Sequence, residues 1–362
     1  SSCDTPAFSL PPGRHLRLAL AMLLITGMDW FLRGMGLAAC GGLGSALLRL
    51  RKIQGASCDA SCAAAKLPAD AYRGKVVWIT GASSGIGKGL AMEFAKQGAK
   101  VILSSRRAKE LEEVAQELAP LLKASGGEAS ILTVDLSDLD SLPGKAAEAR
   151  RLFQSPVDVL VNNGGYSSRA LARDVQGIQE DIKMMEVNFL SWIALAKAVL
   201  PERDEKRPVQ IINISSLAGK LGVPLRTMYC AAKHAVIGWF DALRAEEMGF
   251  WGTNVAVLNV CPGSVKTSVS DNAVTADGSK LGHTDPNIMN GLDVAYVSDR
   301  ILASAHCGLD EIWIAKWSEL RSAYLSQYAP GSFKRKARDV ALASVGHTMG
   351  EVFVKERLAS KL

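Results

Sequence analysis

From Lys75 onward, short apolar runs alternate with longer amphipathic stretches. Residues 76–79, 101–103, 131–134, 157–161, 209–214 and 255–260 are brief and rich in Val, Ile and Leu, which predicts buried strands. Between them, residues 85–97, 108–123, 139–153, 174–200 and 227–248 carry helical patterning. Strands that are apolar throughout, separated by helices, imply a parallel sheet with helices on both faces. The expected fold class is therefore α/β, a doubly wound Rossmann-type sheet forming a single domain over residues 74–316.

The residues before this pattern are of another kind. Two apolar stretches, 18–28 and 30–48, are interrupted by Asp29 and Arg33 and bracketed by Arg14, Arg17, Arg49, Arg51 and Lys52. Each is borderline in length for a spanning helix, which needs about 20 apolar residues. A membrane anchor, a short hairpin in one leaflet and a removed signal segment all fit, the anchor ranking first. Residues 1–54 are thus assigned to anchoring or targeting, with membrane association through residues 16–50. The Ser/Ala/Cys-rich stretch 55–73 reads as a linker, and 317–362 as a helical, basic tail.

Charge adds one exclusion. The net +6 is concentrated at the two ends, leaving the body slightly acidic, so no basic groove for nucleic acid is expected. Seven cysteines at scattered spacings suggest no disulfide framework, and Cys58 with Cys62 has no second pair to complete a zinc site. No metal is expected.

The chemistry starts where the first strand ends, in Thr80-Gly81-Ala82-Ser83-Ser84-Gly85-Ile86-Gly87. Glycines between a strand and a helix let the backbone turn sharply and approach a pyrophosphate at the positive helix N-terminus. The second strand ends in Ser104-Ser105-Arg106-Arg107, where a site built for NAD would place an acid. Two guanidiniums there suit a 2′-phosphate, so NADPH/NADP+ is expected ahead of NADH. Asp135 follows the third strand, placed for an adenine amino group or for an N-cap, and Asn162-Asn163-Gly164-Gly165 follows the fourth. Tyr229 and Lys233 share one helix face, and Ser216 sits just after the fifth strand at the same sheet edge. A tyrosine titrating near 10 is a poor base at neutral pH, and a neighbouring ammonium favours its phenolate. Lys233 can supply that charge, while Ser216 can polarise a substrate oxygen.

These motifs together identify the sequence as resembling the short-chain dehydrogenase/reductase superfamily in its compact form, over roughly Lys75 to Ser318. The family's glycine motif falls on Thr80 through Gly87, its adenine-side Asp on Asp135, and its Asn-Asn-Ala-Gly segment on 162–165, with Gly164 replacing Ala. The resemblance implies a catalytic set of Asn188, Ser216, Tyr229 and Lys233. It also implies a nicotinamide-side turn at Pro262-Gly263 with Val265 and a carboxamide contact at Thr267. The implied cofactor set is then Thr80, Gly81, Ser83, Ser84, Gly85, Ile86, Gly87, Ser105, Arg106, Arg107, Asp135, Leu136, Asn162, Gly164, Tyr229, Lys233, Pro262, Gly263, Val265 and Thr267. Residues 162–169, 229–234 and 311–314 further resemble the branch around dehydrogenase/reductase member seven, membrane-anchored enzymes of the endoplasmic reticulum that reduce retinal, steroid and xenobiotic carbonyls with NADPH.

By that resemblance the expected activity is NADPH-dependent reduction of an apolar aldehyde or ketone. An NAD-linked alcohol or hydroxysteroid dehydrogenase is the alternative, and a non-catalytic NADPH scaffold a distant third. A homodimer through the helices bearing Asn188 and Tyr229 is expected from the family, and residues 269–289 are expected to form a lid over the substrate. The terminal Ser360-Lys361-Leu362 is a receptor-read peroxisomal address, which competes with the membrane assignment.

Overall fold

The strand β1 (Val76–Thr80) is buried along its whole length, and every other strand joins it in parallel. The structure, a computed structural model, describes residues 55–200, 207–252 and 254–331. In order come β2 (Lys100–Ser104), β3 (Glu128–Ile131), β4 (Val159–Asn162), β5 (Val209–Ile214), β6 (Val255–Pro262) and β7 (Glu311–Ile314). They lie side by side as β3-β2-β1-β4-β5-β6-β7. The order reverses between β1 and β4, and at such a point the loops splay apart and leave a crevice at the carboxyl ends of the strands.

Helices cover both faces, as the two-sided hydrophobicity of the strands demands. One face is covered by α2 (Gly85–Lys96), α3 (Ala108–Ser125) and α9 (Val294–His306), whose Leu90, Phe94, Leu111 and Ile301 are fully buried. The other is covered by α4 (Leu142–Leu152), α6 (Ser191–Val199) and α7 (Thr227–Glu246), through Leu142, Trp192, Leu195 and Phe240. Each such side chain taken from water contributes about 1.5–3 kcal/mol.

A polar row runs through this apolar centre. Asn162, Asn213 and Asn259 fall opposite one another on β4, β5 and β6, each fully buried. Asn162 donates to Asn213 at 2.9 Å, Asn213 to Asn259 at 3.0 Å, and Asn259 to Asp241 of α7 at 2.9 Å. A carboxylate at Asp241 can accept but not donate, so it sets the direction in which all three amides point.

Three expectations differ from what is seen. The third strand lies at 128–131 rather than 131–134, although Leu132 and Val134 still donate to Leu103 and Ser105. The long helix expected over 174–200 is divided into α5 (Gln179–Met185), a π turn (Glu186–Leu190) and α6. The expected linker 55–73 is instead packed. It holds α1 (Ala60–Ala64), fully buried Cys58 and Cys62, and a backbone exchange in which Asp59 N–H donates to Trp313 O at 2.9 Å. Trp313 N–H returns a bond to the Asp59 carboxylate at 2.7 Å, so this arm seals the outer edge of β7. The first part of the expected tail forms α10 (Trp317–Tyr328), whose Leu320 and Ala323 pack with Trp313. The anchor segment 16–50 and the terminal Ser-Lys-Leu lie outside the described residues.

Candidate active site

The turn after β1 is built by hydrogen bonds from the turn after β4. Thr80 Oγ1 donates to Val161 O at 3.1 Å and accepts from the Asn163 and Gly164 amides at 3.0 and 3.1 Å. Asn163 Nδ2 donates to Thr80 O and Gly81 O. Gly81 has φ of +66°, and at Gly87 a Cβ would stand 2.3 Å from Gly81 O, so neither position admits a side chain without displacing backbone. A Cβ at Gly164, where the family carries Ala, would meet the Leu136 side chain at 2.5 Å. The helix α2 opens beyond this turn with no side-chain cap from Ser84 on its first amides.

The loops enclose a cleft of about 520 Å³ along the carboxyl edge of the sheet. One wall carries Thr80, Gly81, Ser83, Ser84, Gly85 and Ile86, with Ser105, Arg106, Arg107, Asp135 and Leu136 beyond them. The other end holds Gly164, Asn188, Ser216, Tyr229, Lys233, Pro262, Gly263, Val265 and Thr267. Gly87 and Asn162, expected among the cofactor residues, do not line it: Gly87 packs under Gly81, and Asn162 belongs to the asparagine row. The segment 269–289 crosses the cleft with Val269, Asn272, Val274, Gly278, Lys280 and Ile288 on its wall, and ends in the short α8 (Pro286–Met289).

The two arginines after β2 differ in use. Arg107 donates to Ser83 Oγ at 2.8 Å and lies 3.5 Å from Glu110, whereas Arg106 acts on Asp135. Burial pushes the Asp135 carboxyl up, but the Ser137 N–H and O–H, helped by Arg106, outweigh it and hold the group below its ordinary value.

At the other end, Ser216 stands extended as it leaves β5, with its Oγ accepting from Ala218 N–H at 3.1 Å. Burial raises the Tyr229 phenol above its ordinary value, opposed by Arg226, the Ser216 hydroxyl and Arg169. Lys233 donates its Nζ to Ile214 O at 2.9 Å, 4.1 Å from the centre of the Trp192 ring and 5.7 Å from that of Tyr229. Burial pushes this ammonium down to about 7. Arg226 and Arg169 also favour the ionised phenol. Asn188 sits in the π turn and gives its Nδ2 to Met184 O, while its Oδ1 accepts from Tyr166 N–H.

Trp192 is fully buried, and its indole donates to Gly164 O at 2.9 Å, tying α6 to the turn after β4. Arg226, Asp285 and Tyr166 were not singled out by sequence. Asp285-Pro286 had the form of a helix start, whereas nothing local marks Arg226 or Tyr166. Among the described residues, no group of His, Cys, Asp and Glu is arranged to hold a metal.

With this geometry in view, the family model described as short chain dehydrogenase matches residues 75–278. The chain is a short-chain dehydrogenase/reductase. This oxidoreductase is 37% identical over 263 residues to dehydrogenase/reductase SDR family member 7B of Mus musculus, covering 73% of this chain and 80% of the relative. It is 34% identical to family member 7 of Homo sapiens, covering 70% and 74%, which places it in the member 7 branch. The dehydrogenase/reductase also matches the fold of a Burkholderia phymatum short-chain dehydrogenase/reductase in complex with NAD, at 22% identity and a TM-score of 0.61 over 72% of this chain and 95% of the other. An alcohol dehydrogenase from Thermococcus sibiricus, complexed with 5-hydroxy-NADP, matches at 24% identity and a TM-score of 0.54 over 67% and 97%.

Proposed function

We propose that this oxidoreductase uses NADPH to reduce the carbonyl of an apolar aldehyde or ketone. The observation that carries the reading is one continuous cleft with two chemically distinct ends. At one end β2 is followed by Arg106 and Arg107 with no carboxylate of its own, and at the other Ser216, Tyr229 and Lys233 converge. The residues fit a dinucleotide: the glycine turn accepts close approach, the uncapped α2 N-terminus suits a pyrophosphate, and Arg106 suits a 2′-phosphate. When bound, the nicotinamide supplies the hydride. The protein's part is to orient the carbonyl through the Ser216 hydroxyl and to deliver a proton from Tyr229, whose burial keeps it protonated at neutral pH. Val265, Val269, Val274 and Ile288 give the substrate end its apolar lining.

The apolar run of residues 18–48 supports attachment to a membrane, in keeping with the endoplasmic reticulum, ahead of the peroxisomal reading of the terminal tripeptide. The half-exposed Ile182 and Leu190 beside α6 support a homodimer through the helices that bear Asn188 and Tyr229.

The test is nicotinamide absorbance with NADPH or NADH against retinal, a steroid ketone and an aromatic diketone. NADPH oxidation that falls at least about a hundredfold in Tyr229→Phe is the expected outcome. Turnover that survives Tyr229→Phe, or a preference for NADH, overturns the reading.

A further inference from the structure

The turn after β6 is gripped from outside the cleft by the first turn of α10. Glu319 there divides its carboxylate between two neighbours. Its Oε2 accepts from Lys316 N–H of its own helix end at 3.1 Å. Its Oε1 reaches across and accepts from Ser264 N–H at 2.9 Å and from Ser264 Oγ–H at 2.6 Å. Gly263 permits this approach, since a Cβ there would stand 2.5 Å from Glu319 Oε2 and 2.6 Å from Ala315 Cβ. Gly263 N–H donates to Ile314 O at 2.9 Å, so β7 and α10 hold the turn between them. The far foot of the lid is tied to the same place. Lys316 Nζ donates to Asn290 O, Leu292 N–H donates to Ser264 O at 2.8 Å, and Lys266 N–H donates to Leu292 O at 3.0 Å.

A helix cap accounts for Oε2, which closes the first turn of α10, but not for Oε1. Fastening the lid does not account for Oε1 either. The lid is held further along by Asp285, 3.3 Å from Arg169 and 3.6 Å from Arg226, and by Val274 N–H on Ser167 O at 2.9 Å. What Oε1 fixes is the backbone of one residue, Ser264, between Gly263 and Val265. Pro262, Gly263, Val265 and Thr267 line the cleft beside Tyr229 and Lys233, whereas Ser264 and Glu319 do not. A hydrogen bond to a carboxylate is about twice as strong as one between neutral groups, so this wall of the cleft is anchored from behind.

We propose that Glu319 is a positioning residue for the nicotinamide half of the cofactor, setting the wall of Gly263, Val265 and Thr267 through its hold on Ser264. This rests on the reading of that wall as the nicotinamide side of the cleft. Glu319 acts through backbone and touches no reacting atom. The adenine half is received elsewhere, by the glycine turn after β1, by Arg106 after β2 and by Asp135 after β3, three or more strands away from β6. Loss of the carboxylate therefore weakens the grip on one half of the dinucleotide and spares the other.

The experiment compares the dissociation constant of NADPH with that of 2′,5′-ADP, which carries the adenine half alone, on the full chain. NADH against ADP is run in parallel. Glu319→Ala should weaken NADPH about tenfold and leave 2′,5′-ADP within about twofold of the parent. Glu319→Gln keeps an acceptor for Ser264 and should recover most of that loss. If Glu319→Ala does not fold, Ser264→Ala removes the hydroxyl donor alone and should weaken NADPH about threefold, again sparing 2′,5′-ADP. A loss shared equally by both ligands marks a general loosening of the fold and overturns the proposal. A parent that binds neither dinucleotide more tightly than its adenine half overturns the nicotinamide reading, and the inference with it. A parent that has this advantage and keeps it in the variants overturns the inference alone.

Discussion

Lys233 sits in the core with its ammonium on a carbonyl oxygen and a tryptophan face, and burial brings it down to about 7. In the unfolded chain a lysine titrates near 10.4. Between those two values the unfolded state binds more protons, so stability rises with pH through that window. Below about pH 7 the cost of the buried charge is present in full, and above about 10.4 it is gone. Lys233→Met should therefore stabilise the cofactor-free protein most at about pH 6, by roughly 1–3 kcal/mol, with the gain shrinking as pH rises. Thermal melts across the range check this, and an offset independent of pH would contradict it. Ser216, Tyr229 and Lys233 were legible because helical spacing and strand ends place side chains by local geometry. Arg226 and Asp285 were not, because their meeting depends on how a long lid loop folds back, which no local pattern encodes.

At the scale of elements, the strands were readable because a strand covered on both faces must be apolar throughout. The break at Glu186–Leu190 was hidden, since the apolar positions on either side keep a helical spacing across the π turn. The asparagine row was hidden as well: each residue ends or interrupts an apolar strand alone, and only the register of β4, β5 and β6 joins them. Its energetics follow from satisfaction rather than polarity. Asn213→Leu leaves Asn162 without its acceptor and Asn259 Oδ1 without its donor, and should cost about 2–4 kcal/mol. Replacing Asn162, Asn213 and Asn259 together by apolar residues should cost less than the sum of the three single changes. Denaturant unfolding of the four variants decides between this and independent contributions.

For the molecule as a whole, the most consequential departure from expectation is the arm that seals β7. A stretch of Ser, Ala and Cys reads as a linker, yet small residues pack tightly and Cys58 and Cys62 are fully buried. A chain that starts at residue 75 loses these contacts and the Asp59 bonds to Trp313, and it bares the outer row of β7 amides. It should melt about 5–10 °C below one that starts at residue 55 and associate at high concentration, as calorimetry and light scattering would show. Equal melting and monodispersity would mean that the arm adds nothing to the sheet. The same attachment fixes the path of tension through the protein. If residues 1–54 hold the chain to a bilayer, drag on the folded body enters at Cys58–Ile314 and the Asp59–Trp313 clasp, on the far side of β6 from β1. The glycine turn that follows β1 would then stay out of the loaded path until the clasp yields, and the arm would act as a strain relief between such a tether and the cofactor cleft.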